Sequence, residues 1–153
     1  MMRALIQRVT QAKVVVERKE TGKIGHGFLI LVGAGKDDTQ ADARRLAEKT
    51  VNLRVFEDTE GKMNRSLLEV DGEALVVSQF TLYADCRKGR RPSFTGAAPP
   101  AEGERLYLEY VRNIKEYGVK VATGIFGARM QVEMVNDGPV TIWLDSQEPA
   151  GSP

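Results

Sequence analysis

The stretch from Ala74 to Tyr83 reads Ala-Leu-Val-Val-Ser-Gln-Phe-Thr-Leu-Tyr. Its first four residues are all apolar, which leaves no face for solvent and predicts a strand buried on both faces. From Ser78 onward the stretch becomes partly polar, so this end is where a functional site could open. We predict one strand over the whole stretch.

The residues before this stretch predict three strands, a further short strand and one helix. The strands cover Leu5–Val9, Val14–Val16 and Phe28–Val32, with turn-prone residues from Lys19 to Gly27, and a short strand is expected over Arg54–Glu57. Thr39 with Asp42 three positions later resembles a helix start, and apolar residues then recur at helical spacing. The sequence therefore predicts a helix from about Thr39 to Leu53.

The residues after it predict a second helix and two strand segments. Pro99-Pro100 precedes a helix that ends near Gly118 and places Tyr107, Tyr110, Val111 and Ile114 on one face. Met130, Val132 and Met134 alternate with polar residues, a turn is expected at Asn136–Pro139, and a last strand at Val140–Leu144. This order predicts an α/β fold with mixed β-sheets and two main helices packed on one side.

Size and charge predict one domain over residues 1–147, with a flexible tail at 148–153. The chain has 153 residues, 42% of them hydrophobic, and its 22 Lys and Arg nearly cancel its 21 Asp and Glu. This balance excludes a disordered chain and a broadly basic polyanion binder. The apolar runs are far shorter than the roughly 20 residues that span a bilayer, and no signal-peptide core is visible. We expect a cytoplasmic protein with no membrane association.

The sequence contains few of the side chains used in common catalytic sites. One cysteine, Cys86, excludes an intrachain disulfide, and one histidine, His26, removes most histidine-rich metal sites. Gly33-Ala34-Gly35-Lys36 lacks the spacing of a phosphate-binding loop, and Gly25-His26-Gly27 lacks the third glycine of a dinucleotide site. We predict no metal and no cofactor.

A basic cluster follows the Ala74–Tyr83 stretch. Arg87, Lys88, Arg90 and Arg91 place four cations within five residues, and the aromatic Phe94 lies close behind them. Such a cluster suits a nucleic-acid backbone with a stacked base, so these four residues are candidates for RNA binding. A solvated charged loop is the alternative.

Two other segments are candidates for a site. Ser78-Gln79-Phe80-Thr81-Leu82 offers hydroxyl, amide and backbone donors that could stabilise a developing oxyanion, although an ordinary strand remains the alternative. In Gly138-Pro139 the proline cannot donate to a sheet and the glycine has unusual backbone freedom, so the segment can present its carbonyls. A hairpin turn is the alternative there, and the letters do not reveal the prolyl isomer.

Five segments in order carry a resemblance to a known family. They are Met2-Arg3-Ala4 with Gln7-Arg8-Val9, Ser78 to Leu82, Arg90 to Phe94, Phe126-Gly127-Ala128, and Gly138 to Thr141. Together they cover nearly the whole chain and resemble the D-aminoacyl-tRNA deacylase family.

The resemblance implies a cytosolic homodimer of three-layer α/β/β subunits with active sites at the subunit interface. Its partner would be aminoacylated tRNA, and its activity the hydrolysis of D-aminoacyl-tRNA, and of glycyl-tRNA, as chiral proofreading in translation quality control. L-aminoacyl-tRNA would be rejected.

The resemblance also assigns roles to residues. Gly138-Pro139 would form a Gly-cis-Pro motif that enters the partner's pocket, supported by Arg8. Ser78 and Gln79 would bind substrate, and the backbone N–H of Phe80 would stabilise the oxyanion. Thr81 would line the site, with a nucleophilic role as the minority interpretation, because the family is understood to use backbone groups and the 2′-hydroxyl of the tRNA.

Two alternatives remain open at this point. One is a related deacylase of L-alanyl-tRNA, a branch that departs from the Ser-Gln-Phe-Thr and Pro-Val-Thr forms found here. The other is a non-catalytic tRNA-binding or RNA-binding module that uses the basic cluster.

Overall fold

The computed structural model describes residues 1–147 as eight strands, two α-helices and one 3-10 turn. The strands are β1 (Arg3–Val16), β2 (Lys19–Ile24), β3 (Gly27–Gly33), β4 (Phe56–Glu57), β5 (Met63–Arg65), β6 (Glu73–Ser78), β7 (Val121–Thr123) and β8 (Gln131–Asp145). The helices are α1 (Gln40–Asn52) and α2 (Pro100–Glu116), and the 3-10 turn covers Phe80–Tyr83. The tail predicted at 148–153 lies outside the described residues.

The main sheet is mixed, as the sequence predicts. Strands β3, β6 and β7 are parallel neighbours, while β1 is antiparallel to β3. The long β1 also pairs with β2 and, along nearly its whole length, with β8. A separate two-stranded sheet joins β4 to β5.

Both helices pack on one face of the main sheet, which confirms that prediction. The apolar face predicted for α2 is buried at all four of its positions, and the helix-side core also contains Phe28, Ile30 and Val76. Burying one such side chain stabilises the fold by roughly 1.5–3 kcal/mol.

The opposite face of the sheet has its own core. Leu29, Leu75 and Val77 alternate with the helix-facing residues of their strands, and they pack against Val9, Val14 and other residues of β1 and β2. The outer half of β1 therefore covers the second face of the sheet, which completes the α/β/β arrangement.

The predicted start of α1 is also confirmed. The backbone N–H of the N-cap residue Thr39 donates to the Asp42 carboxylate at 2.9 Å, so the side chain three positions later provides the acceptor that this N–H lacks within the helix. Neither helix in residues 1–147 is long and apolar enough to span a membrane.

The predicted break between Leu5–Val9 and Val14–Val16 is wrong, because β1 runs through both. Its pairing with β8 shifts register around Val9, so the strand bends at a bulge instead of ending. The turn predicted from Lys19 to Gly27 is also wrong in part. That polar segment contains the edge strand β2, and the turn itself lies at Glu17 and Arg18, which have φ values of 49° and 69°.

Two predictions near the candidate site are also wrong. Residues Asn136–Pro139 do not form a hairpin turn, because they lie inside β8, opposite the bulge of β1. The strand predicted from Ala74 to Tyr83 ends at Ser78, and the residues from Phe80 form the 3-10 turn. The strand expected over Arg54–Glu57 shortens to β4.

Candidate active site

A cavity of about 600 Å³ opens where the parallel strands β3 and β6 end. This volume is typical of a pocket that holds a small molecule or one part of a larger substrate. The start of α2 and the segment before β8 form its other walls. Its lining is mostly apolar, with backbone from the strand ends, and includes Gly33, Ser78, Gln79, Phe80, Phe94, Ala97, Ala98, Gly103, Tyr107, Phe126 and Met130.

The polar wall forms where β6 leaves the sheet. The N–H of Gln79 still donates to the Val32 carbonyl at 2.8 Å, and the chain then turns at Phe80. A side chain at Gly33 would lie 2.7 Å from the Gln79 carbonyl oxygen, so only glycine permits this close approach of the two strands.

The 3-10 turn leaves two backbone N–H groups free, that of Phe80, which lines the cavity, and that of the next residue, Thr81, which does not. The N–H of Leu82 donates to Gln79, and that of Ala84 donates to Thr81. The first N–H groups of a helical turn have no partner within the turn. Across residues 1–147, neither the N–H of Phe80 nor that of Thr81 donates a hydrogen bond. The wall can therefore donate hydrogen bonds to a substrate oxyanion.

The Thr81 side chain is exposed and does not line the cavity. Its hydroxyl oxygen accepts a hydrogen bond from the Gln79 side-chain amide. An amide cannot take a proton from a hydroxyl as a general base would. Within residues 1–147, the Thr81 hydroxyl therefore has no hydrogen-bond partner that would activate it as a nucleophile.

Aromatic side chains form the opposite wall and the mouth. The Tyr107 hydroxyl donates to the Val76 carbonyl at 2.9 Å, and burial raises its pKa to about 12, so it stays protonated. Phe94 meets Phe80 edge to face with ring centres 5.1 Å apart, and Phe126 packs near Tyr107. These rings present a rigid apolar surface to whatever enters.

Gly138-Pro139 lies apart from the cavity of its own chain and is exposed. The peptide bond between the two residues is cis, and Gly138 has a φ of 142°. The buried Arg8 holds the segment, because its Nε donates to the Asp137 carbonyl at 2.9 Å and its Nη1 to the Val55 carbonyl at 2.6 Å. The structure thus brings Arg8 and Gly138 together but separates both from Ser78–Thr81.

The basic cluster forms a closed loop beside the cavity mouth. Backbone hydrogen bonds of 2.7 and 2.9 Å join Asp85 to Ser93, and Phe94 directly follows. Arg87 is paired with the Asp85 carboxylate at 2.8 Å, and its hydrogen bonds lower the pKa of that carboxyl to about 2. Within residues 1–147, no carboxylate pairs with Lys88, Arg90 or Arg91, and all three are exposed.

Gly35, His26 and Cys86 lie in ordinary structural environments. The N–H of Gly35 donates to the Asp38 carboxylate at 2.5 Å, whereas a phosphate-binding loop directs its N–H groups to the phosphate. His26 packs edge-on against Phe56, and Cys86 is exposed.

Several cavity residues were missed from the sequence. Ala97, Ala98 and Gly103 give the cavity its depth because their side chains are small or absent. The only signal for Ala97 and Ala98 was a run of small residues ahead of α2, which is equally typical of a loop, and Gly103 lies inside α2, where nothing in the sequence marked it. Phe126 belongs to a segment of the family resemblance, and Met130 to an alternating pattern that predicted a strand, so neither was predicted to line a cavity.

Comparison with known proteins gives one consistent family. The profile of the D-Tyr-tRNA(Tyr) deacylase family matches residues 5–145. The D-aminoacyl-tRNA deacylase of Thermosipho africanus is 60% identical over 147 residues, covering 96% of this chain and 99% of that protein. The protein of the same name from Heliobacterium modesticaldum is 60% identical over 146 residues, covering 95% and 97%.

Two solved structures have the same fold. The c-Myc DNA unwinding element binding protein matches with a TM-score of 0.89 and 39% identity, over 95% of this chain and 99% of that one. A probable eukaryotic D-amino acid tRNA deacylase matches with a TM-score of 0.82 and 20% identity, over 94% and 98%.

Proposed function

The chain belongs to the D-Tyr-tRNA(Tyr) deacylase family, and from this premise we propose that it hydrolyses the ester of D-aminoacyl-tRNA. Water adds to the ester carbonyl, the bond to the ribose oxygen breaks, and free D-amino acid and tRNA leave. The observation that carries the proposal is the unpartnered N–H of Phe80 at the wall of an apolar cavity. The proposal takes residues 1–147 as one catalytic domain.

Main-chain donors are sufficient for this chemistry. An aminoacyl ester is already activated, so positioning and oxyanion stabilisation can supply much of the rate. A fixed donor at the oxyanion is worth roughly 3 kcal/mol of transition-state stabilisation. Phe80 lines the cavity and its N–H is free, which supports its role as donor. The 2′-hydroxyl of the terminal ribose, rather than Thr81, assists the proton transfer.

Rejection of L-amino acids is assigned to Gly138-Pro139 of a partner subunit. Size selection in a pocket gives only about 1–3 kcal/mol, so chirality requires a rigid steric contact. The segment is exposed, lies outside its own cavity and is held by the buried Arg8, all of which suit insertion into a second copy. Main chain that contacts the α-carbon would exclude an L side chain while tolerating many D side chains.

A homodimer is part of the same proposal. Outside the cavity, strand β8 exposes two large apolar side chains, Val135 and Trp143, of which Trp143 is 48% exposed. Apolar side chains grouped on one exposed strand are typical of an interaction surface. Because β8 also carries Gly138-Pro139, a contact along this strand would place active sites at the subunit interface.

The basic loop is proposed to contact the tRNA close to its aminoacylated end. Lys88, Arg90 and Arg91 are exposed and have no carboxylate partner within residues 1–147, and Phe94, which follows the loop, lines the cavity. Arg87 is expected to contribute less, because Asp85 already compensates its charge. A tRNA substrate implies a cytoplasmic location.

The decisive experiment follows ester loss from D-Tyr-tRNA, L-Tyr-tRNA, Gly-tRNA and L-Ala-tRNA. We expect rapid loss from the D-tyrosyl ester, measurable loss from the glycyl ester, and none above background from the two L esters. Tight tRNA binding without hydrolysis would instead favour the RNA-binding module. Preferential cleavage of the L-alanyl ester would favour the related branch.

A further inference from the structure

Arg3 is a residue to which the proposed mechanism assigns no role. It lies at the start of β1, between Gly33 of β3 and Asp145 of β8. Side chains alternate along a strand, and Met2 and Ala4 enter the helix-side core. The Arg3 side chain therefore lies on the other face of the sheet, where it contacts the 3-10 turn.

Its guanidinium is held between the turn and β8. The Nη1 group donates to the Leu82 carbonyl at 2.9 Å, and the guanidinium carbon lies 4.4 Å from the centre of the Tyr83 ring. On the other side it lies 5.7 Å from the Trp143 ring. Arginine over an aromatic face at these distances is an attractive cation–π contact.

One feature of this arrangement is unfavourable for stability. The Nε group of Arg3 is buried and has no hydrogen-bond partner among residues 1–147. Leaving a buried donor without a partner costs about 1–3 kcal/mol, more for a charged group. An apolar side chain of similar length would avoid that cost, so stability alone does not account for an arginine here.

The contact with Leu82 gives the arginine a function. The last carbonyls of a helical turn have no partner within the turn, and a cation at this end is electrostatically favourable. Arg3 thus fixes the end of the turn at Leu82 and Tyr83. The free N–H groups of Phe80 and Thr81 are at its other end, only two residues away.

We propose that Arg3 is a positioning residue for ester cleavage, which acts by fixing the Phe80–Tyr83 turn and so the direction of its free N–H groups. This inference rests on the proposed function, because it requires those N–H groups to bind the oxyanion. Arg3 touches no substrate atom in this role. Its loss would therefore lower the rate of the chemical step and leave substrate binding unchanged.

The test compares Arg3→Met and Arg3→Lys with the unaltered protein, using D-Tyr-tRNA. Methionine keeps an apolar stem without charge or donor, whereas lysine restores both. We expect Arg3→Met to lower kcat about ten- to a hundredfold with KM within about twofold, since small displacements of catalytic groups cost rates of this size. Arg3→Lys should recover most of the loss.

Arg45→Met is the matched control. Arg45 is a part-buried arginine of α1 whose Nε donates to the Ser146 carbonyl at 3.1 Å, remote in sequence from the turn. It should lose a comparable amount of thermal stability and keep the kcat of the unaltered protein. Melting temperature and mass in solution are measured for all three variants.

Several results would overturn the inference. These are an unchanged kcat in Arg3→Met, an equal kcat loss in Arg45→Met, a loss confined to KM, or a kcat loss that accompanies dissociation of the protein. An unaltered protein that fails to cleave D-Tyr-tRNA would overturn the proposed function as well, whereas cleavage by that protein with full activity in Arg3→Met overturns the inference alone.

Discussion

The backbone N–H of Phe80 is the single group on which the proposed chemistry most depends. Because it has no acceptor within residues 1–147, it can be removed without breaking a hydrogen bond of the fold. Phe80 is also the first residue of a helical turn, where proline is tolerated. Backbone catalysis can therefore be tested by mutation here, which is unusual for a main-chain group.

We predict that Phe80→Pro lowers kcat for D-Tyr-tRNA about 10²- to 10³-fold, which is the effect of deleting one oxyanion donor. Single-turnover ester hydrolysis measures it. The control is Phe80→Leu, which keeps the N–H and loses the contact of this 58% exposed ring with Phe94. Equal losses in the two variants would show that the ring matters and the N–H does not.

Thr81 provides the complementary test. Its hydroxyl contacts an amide rather than a base, so Thr81→Ala should retain activity within about tenfold, as expected when no nucleophile is lost. The same hydrolysis assay checks this. A loss as large as that of Phe80→Pro, or an acyl group trapped on Thr81 of the unaltered protein, would restore the nucleophile interpretation.

At the scale of elements, the basic loop contains two kinds of positive charge. Arg87 is paired with the Asp85 carboxylate, whereas Arg90 and Arg91 have no carboxylate partner within residues 1–147. Arg90→Gln with Arg91→Gln should weaken tRNA binding and reduce the salt slope by at most roughly 0.7 per lost single-strand phosphate contact. Binding measured across a salt series checks this. Arg87→Gln is the control with a smaller expected effect, because Asp85 compensates Arg87 at 2.8 Å. A loss of tRNA binding from Arg87→Gln alone as large as that from the Arg90 and Arg91 double variant would contradict the assignment.

The strands also show where a local sequence pattern does not predict the secondary structure. The helices were predicted closely because capping and 3.6-residue periodicity involve neighbouring residues. Asn136–Pro139 has the composition of a turn, yet it continues β8 because pairing with β1 absorbs the irregularity as a bulge. The polar β2 was missed for a related reason, since an edge strand needs few apolar residues.

At the scale of the whole molecule, the proposed exchange of Gly138-Pro139 between subunits can be tested by complementation. A side chain at Gly138 would lie 2.8 Å from Val140 Cγ2 with φ at 142°, so Gly138→Ala distorts the segment. Because the distorted segment would occupy the partner's pocket wrongly, we expect this variant to lose cleavage of the D ester. A mixed dimer of Gly138→Ala with Phe80→Pro has one site with both defects and one with neither.

We predict that the two inactive variants, mixed under conditions of subunit exchange, recover about a quarter of the normal activity. Half of the dimers are then mixed, and each has one intact site of two, as two-fold symmetry requires. Hydrolysis of D-Tyr-tRNA after mixing measures the recovery. If Gly138-Pro139 served its own subunit, both sites of the mixed dimer would be defective and no activity would return.

The sequence by itself determined the fold class, the two helices and the family, because periodicity and motifs are properties of nearby residues. It also identified part of the cavity lining, the segment Ser78–Phe80, but not Ala97, Ala98 or Gly103. Only the tertiary structure decided which N–H groups remain free, that Asp85 compensates Arg87, and that Gly138-Pro139 lies outside the cavity of its own chain. It alone brought Arg3 to Leu82, 79 positions away. Such contacts depend on how distant segments pack together, and no local pattern of side chains encodes them.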